Sequence, residues 1–255
     1  LAAAGESAVD VARRAAAALE RHLERHHERI AALIVEPLIQ CASGMAMYDP
    51  EYLRLARSLC DHYQVDLICD EIAVGCGRTG SFFAHQQATI TPDFLCLSKG
   101  ISGGYLPLSI VMTTEAIYAD FYHDATSRGF LHSHSYTGNA LACRAALATL
   151  DIFADDRVIE SNRALSEHLG HCLRPLANHP RVRHLRQRGM IAAFDVVSDD
   201  PQFSRRFYRH ALANEILLRP IGNTVYFMPP YVISREECEF LVTRATAALE
   251  AALRT

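Results

Sequence analysis

"VDLICDE", residues 65–71, is a short apolar run closed by two acids, and "PDFLCLSK", residues 92–99, repeats the pattern with a lysine at its end. Both read as strands of a parallel sheet, where burial on two faces makes a strand continuously apolar. "IAALIVEP" (30–37) has the same texture and closes on Glu36 and a proline, and "LPLSIVMTT" (106–114) reads as a further strand. "PEYLRLARSLCDHY" (50–63) has helical spacing, and "AVDVARRAAAALERHLERHHER" (8–29) is a strong helix with its charges on one side. Helices alternating with apolar strands predict an α/β sheet covered on both faces. In such sheets chemistry gathers at the carboxyl ends of the strands.

From about residue 139 the texture changes. "NALACRAALATLDIFADD" (139–156) and residues 157–177 read as two helices, followed by "RVRHLRQRGMIAAFDVV" (181–197) and a helix near 203–213. Short strands at "EILLRP" (215–220) and "TVYFMPP" (224–230) precede a last helix over about 235–253. This α+β portion is expected to form a smaller C-terminal domain, dividing the chain into 1–153 and 154–255.

Half of the 255 residues are hydrophobic, 21% are charged and the net charge is -4, the profile of a folded soluble protein. No basic stripe with interleaved aromatics supports nucleic-acid binding, and no apolar stretch is long enough to span a membrane. None of the eight cysteines stands in CxxC spacing, so a reduced, cytoplasmic setting is expected and a zinc knuckle is not. His132 and His134 invite a metal, but no further ligand cluster accompanies them, and no metal is assigned. The first residue is leucine rather than methionine, which suggests an upstream segment.

Three strand ends thus present Glu36, Asp70 with Glu71, and Lys99. They suit either an ion-pair network or an active site. A desolvated lysine amine can attack a carbonyl to form a Schiff base. A buried carboxylate such as Asp70 can hold a pyridine nitrogen protonated, so that the ring withdraws electrons. Gly100, Gly103 and Gly104 leave room for a flat ligand or supply turn geometry.

"LICDEIAVGCGRTG" (67–80) followed by "PDFLCLSKGISGG" (92–104) resembles the signature of the class III, fold-type I pyridoxal-phosphate aminotransferases. "ALIVEPLIQCASGM" (32–45), "HSHSYTGNALAC" (132–143) and "RPIGNTVYFMPPYVI" (219–233) agree in order. The resemblance runs from about residue 30 to the C-terminus. It implies that residues 1–153 are the C-terminal part of a large cofactor-binding domain, and that the family's N-terminal part is lacking.

"DEIA" (70–73) and the tail from Arg219 resemble most the branch that moves an amino group from S-adenosylmethionine to 8-amino-7-oxononanoate in biotin synthesis. Another ω-amino acid aminotransferase, or a non-catalytic cofactor-binding or dimerisation fragment, stands as the alternative. The resemblance implies pyridoxal 5'-phosphate as cofactor and a homodimer with its active site at the interface. Lys99 is then the Schiff-base lysine and proton carrier, and Asp70 the partner of the ring nitrogen. Ser135 reaches the phosphate of the neighbouring subunit, standing where a threonine is usual. Arg219 receives the substrate carboxylate, and Ser133 and Tyr226 face the substrate. Glu36 orders the cofactor site, although an ion pair to Arg78 explains it equally well. Ser133 replaces a usual glycine and His134 a proline.

Overall fold

The structure, a computed structural model, describes residues 5–254. Its contacts divide the chain into two units. The first holds the chain through Leu38, with Tyr48–Cys76 and Ser81–Asp156; the second holds Ile39–Met47, Gly77–Gly80 and the chain from Arg157 onward. In chain order the elements begin with α1 (Ala8–His26), β1 (Ala32–Val35), β2 (Ile39–Gln40), β3 (Ala46–Met47) and α2 (Pro50–Tyr63). There follow β4 (Asp66–Asp70), β5 (Phe94–Leu97), β6 (Ile110–Thr113), α3 (Glu115–Phe121) and α4 (Ala140–Asp155). The chain continues with α5 (Val158–Ala177), β7 (Val182–Arg188), β8 (Ile191–Val196), α6 (Phe203–Ala213), β9 (Thr224–Phe227) and α7 (Arg235–Arg254).

The first unit is built on a sheet of order β1-β4-β5-β6. β1, β4 and β5 run parallel, and β6 is antiparallel to β5. The connection from Leu97 to Ile110 contains no α-helix, and without that crossover the chain turns back on itself. The two helices before β4 are set by local chemistry. Ser7 Oγ accepts the Asp10 N–H while Asp10 accepts the Ser7 N–H, a capping box that starts α1. Asp49 caps α2 with Pro50 in its first turn. Leu23 of α1 and Cys60 of α2 pack on Leu67, Cys69, Leu95 and Leu97, the inward residues of the two central strands.

The expectation that every apolar run is buried fails at the sheet's margins. β1 and β6 each pair on one side, and Ile34 and Val111 are 61% and 66% exposed. A central and an edge strand of similar composition look alike until their neighbours are known. The start of β5 is fixed by Asp93, whose carboxylate accepts the Leu67 N–H at 2.7 Å and Arg57 Nη1 at 2.6 Å.

Glu71 turns inward. Its buried carboxylate accepts the N–H groups of Ala84 and His85 at 2.6 and 2.8 Å, and lies 2.7 Å from His85 Nδ1. It therefore anchors the turn at 84–88 instead of joining the acids at the sheet edge.

The second unit packs α5, α6 and α7 with the antiparallel sheet β7-β8-β9. Phe194, Phe203, Phe207, Phe227, Leu169 and Leu249 lie in one core. "EILLRP" does not form the expected strand. Ile216 and Leu218 are buried and Leu217 is exposed, which copies strand alternation. The Ile216 N–H instead donates to the Ala211 carbonyl at the end of α6.

A register shift between Arg183 and Arg186, with His184 at φ 51°, makes a bulge in β7. Arg186 donates to the carbonyls of Gly44 and Met45 at 2.6 and 2.9 Å and to Asp195 Oδ1 at 3.0 Å. Asp195 also accepts Thr224 Oγ1 and faces His184 Nδ1. Burial raises the Asp195 carboxyl's pKa, but the hydrogen bonds from Arg186, Thr224 and His184 outweigh burial and hold it below the ordinary value.

Two outcomes follow for stability. Glu71→Leu orphans the Ala84 and His85 N–H groups, and should lower unfolding free energy by about 1–3 kcal/mol per orphaned group in urea denaturation. Because the Asp195 pKa is depressed in the folded chain, its stabilisation is present above the ordinary carboxylate range and lost as pH falls through the depressed value. Asp195→Asn should thus destabilise the chain at neutral pH, with the gap to the parent closing as pH drops below about 4. A pH-independent gap would refute the role given to its charge.

Candidate active site

Parallel pairing decides what meets at the edge of the first unit's sheet. Val35 lies beside Cys69, and Asp70 beside Cys96, so β1, β4 and β5 end at the same edge. Glu36, Asp70 and Lys99 follow or close those strands, and the structure brings them to that edge together. Asp70 is half-buried. Its Oδ1 accepts the Ile72 N–H at 3.0 Å, and among the described residues it makes no ion pair.

Lys99 is the only lysine of the sequence; every other member of the 25 Lys and Arg is arginine. Arginine serves for surface charge throughout this chain, and the one residue capable of amine chemistry stands at a strand end. Among the described residues it makes no ion pair either. Its backbone has φ 45°, left-handed for a residue with a Cβ, a strain of about 1–2 kcal/mol. The surrounding loop holds it there: Ser98 Oγ donates to the Leu108 carbonyl at 2.7 Å and Ser102 Oγ to the Leu106 carbonyl at 2.6 Å. Strain maintained by neighbours is a mark of functional positions.

Lys99 is exposed, and the turn Lys99–Ser102 begins just past the buried end of β5. Gly100 sits tightly against a neighbouring loop. A Cβ there would stand 2.8 Å from the Cys76 Cβ, so the glycine permits close packing of two loops. Gly103 and Gly104, at φ 60° and 80°, serve the turn.

Glu36 is half-buried, and its carbonyl accepts the Tyr48 hydroxyl at 2.6 Å. Burial pushes the Tyr48 phenol well above its ordinary value, so it stays protonated and donates. Sequence reading passed over Tyr48, because a tyrosine before a proline-initiated helix carries no motif.

Ser133 and Ser135 lie in the exposed loop ahead of α4. That loop is shaped by turns, with the Thr137 N–H on the His134 carbonyl at 2.8 Å and the Tyr136 N–H on His134 Nδ1 at 3.1 Å. Asn139 then caps α4 through the Ala142 N–H.

Arg219 and Tyr226 belong to the second unit. Arg219 is exposed and Tyr226 half-buried, and both line a groove of about 670 Å³ together with Met228, Pro229, Val232 and Phe240. In the same unit Arg78 donates to the Pro229 carbonyl at 2.5 Å and lies 4.4 Å from the centroid of the Tyr231 ring. No helix among the described residues is long and apolar enough to cross a membrane.

Residues 2–249 match the family model described as aminotransferase class-III. The adenosylmethionine-8-amino-7-oxononanoate aminotransferase of Helicobacter pylori is 50% identical over 238 residues, 91% of this chain and 54% of that protein. The enzyme of the same name from Nitratidesulfovibrio vulgaris is 40% identical over 91% of this chain and 44% of its own. Among solved structures, the Methanocaldococcus jannaschii enzyme of that name superposes with TM-score 0.86 at 34% identity, over 91% of this chain and 56% of that one. A thermostable omega transaminase from Pseudomonas jessenii gives TM-score 0.91 at 29% identity, over 99% and 58%. The chain spans about half the length of the curated relatives it matches. From ordered motifs, sheet-edge chemistry and these likenesses alike, the chain belongs to the class-III aminotransferase family.

Proposed function

We propose that the protein carries out pyridoxal 5'-phosphate-dependent amino transfer from S-adenosylmethionine to 8-amino-7-oxononanoate, a step of biotin synthesis. The observation that carries this reading is the pair at the sheet edge: a sole lysine and a half-buried carboxylate, neither in an ion pair among the described residues. That donor set fits a ligand with an aldehyde for the amine and a ring N–H for the carboxylate. The names of relatives 50% and 40% identical support this donor and acceptor over those of transaminases at 29%.

When bound, the cofactor supplies an electron sink for the substrate carbon being deprotonated. Lys99 would hold it through Nζ and would carry a proton at that atom as general base and then general acid. Asp70 would hold the ring nitrogen with its carboxylate, whose Oδ1 is steadied by the Ile72 N–H. Glu36 orders the adjacent strand end, where the Tyr48 hydroxyl fixes its carbonyl. Ser135 offers a hydroxyl to the phosphate of a second subunit, and Ser133 lies beside it. Arg219 takes the substrate carboxylate on its planar guanidinium, and Tyr226 lines the same groove.

The first unit corresponds in this reading to the C-terminal part of the large cofactor-binding domain, and the second to the small domain. The protein acts as a homodimer; Leu131 and Leu141, 80% and 74% exposed beside the Ser133–Ser135 loop, suit burial against a second copy. No disulfide joins any of the eight cysteines, which suits a cytoplasmic setting.

A single lysine makes the test clean. After incubation with pyridoxal phosphate and borohydride, peptide mapping should find the pyridoxyl mass on Lys99, and Lys99→Ala should lose it. Lys99→Ala should lower turnover by more than about 100-fold, whereas Asp70→Asn should keep the label and lose turnover. Label confined to the N-terminal amine, unchanged in Lys99→Ala, would overturn the assignment. Amine exchange with β-alanine but not S-adenosylmethionine would replace the donor.

A further inference from the structure

Away from the sheet edge, the second unit holds a cluster of ligand-type side chains that amino transfer does not use. His168 and Cys172 stand one turn apart on α5, and this i, i+4 spacing places them on one face. Glu239 approaches them from the first turns of α7. His168 Nε2 lies 3.5 Å from Cys172 Sγ and 3.4 Å from Glu239 Oε1, and the three donor atoms lie within 4.8 Å of one another. The Arg235 carbonyl oxygen is a further 3.2 Å neighbour of the same ring nitrogen.

One imidazole nitrogen thus faces a thiol sulfur, a carboxylate oxygen and a carbonyl oxygen. A single N–H can be donated well to only one of them. A cation at the centre of the group would engage the nitrogen, sulfur and carboxylate at once. The spacings agree with that arrangement. Zinc bonds of about 2.0–2.1 Å to nitrogen or oxygen and 2.3 Å to sulfur give a tetrahedron with edges of about 3.3–3.6 Å. Both distances from His168 Nε2 to its side-chain neighbours fall in or near that range. The remaining edge, from Cys172 to Glu239, closes by movement of the Glu239 side chain, which is 62% exposed.

We propose that His168, Cys172 and Glu239 form a zinc site that ties α5 to α7. Imidazole, thiolate and carboxylate together suit zinc better than magnesium or calcium, which prefer all-oxygen shells. Three protein ligands leave the fourth position to water. The site joins two helices that already pack on one core, and zinc bound there favours the folded state by mass action.

The experiment uses the full chain without a histidine tag, made metal-free and titrated with zinc or with cobalt as its coloured substitute. Zinc should bind stoichiometrically and raise Tm by about 5 °C at a hundredfold excess over Kd. Cobalt should give the visible bands of a tetrahedral site and a thiolate charge-transfer band. Cys172→Ser should remove the charge-transfer band, and His168→Gln should weaken zinc by more than about tenfold. Glu239→Gln, at an exposed position where folding is not at stake, should weaken zinc as well. Cys143→Ser, at an exposed cysteine outside the cluster, should leave binding unchanged. Absence of a charge-transfer band, or equal zinc affinity in the parent and Glu239→Gln chains, would overturn the site and leave His168 as a hydrogen-bond donor to Arg235. Pyridoxal labelling at Lys99 reports separately on the amino-transfer site, so the two proposals fail independently.

Discussion

Parallel pairing of β4 with β5 is the constraint on which the first unit depends. Ile68 lies beside Phe94, Cys69 beside Leu95 and Asp70 beside Cys96. With that register the inward residues Leu67, Cys69, Leu95 and Leu97 share one face with Leu23 and Cys60, and a one-residue slip would turn a strand's apolar side chains outward. The same register sets Asp70 and the segment carrying Lys99 at one edge. Asp93 secures it from below, because its carboxylate bonds the Leu67 N–H as well as Arg57. Packing and chemistry are thus fixed by one set of backbone hydrogen bonds.

The acids at the end of β4 show how finely position divides roles. Asp70 remains at the edge, half-buried, with one oxygen on a local N–H. Its neighbour Glu71 faces the opposite way, as adjacent strand residues must, and is buried on two backbone N–H groups. A buried carboxylate is tolerated only where such donors meet it. In the second unit Asp195 has a comparable structural use, holding Arg186 and through it the Gly44–Met45 turn.

Helices were the most legible elements. The α2 boundaries follow from Asp49, Pro50 and the helical spacing after them, and α6 and α7 lie within a residue of where their periodicity puts them. Strands were less so. β4 and β5 were read from texture, but "EILLRP" had the alternation without a partner, and β1 and β6 had the apolarity with only partial burial. The β2–β3 hairpin, two residues a side, is too short to give a periodic signal. Of the candidate site, Lys99, Asp70 and Glu36 were visible as strand ends. Tyr48 was not, since its role is to bond a backbone carbonyl twelve residues earlier.

By itself the sequence determined the alternation of helix and apolar strand, the family motifs, and a lysine used once where arginine is used everywhere else. These are local properties of composition, spacing and capping, and need no distant partner. Tertiary structure alone decided that β6 runs antiparallel, that Glu71 is an anchor, that Gly100 yields to Cys76, and that Lys99 is exposed in a left-handed turn. It also brought Glu239 beside His168 and Cys172 from another helix. Each of these depends on contacts between segments far apart in the chain, which only folding specifies.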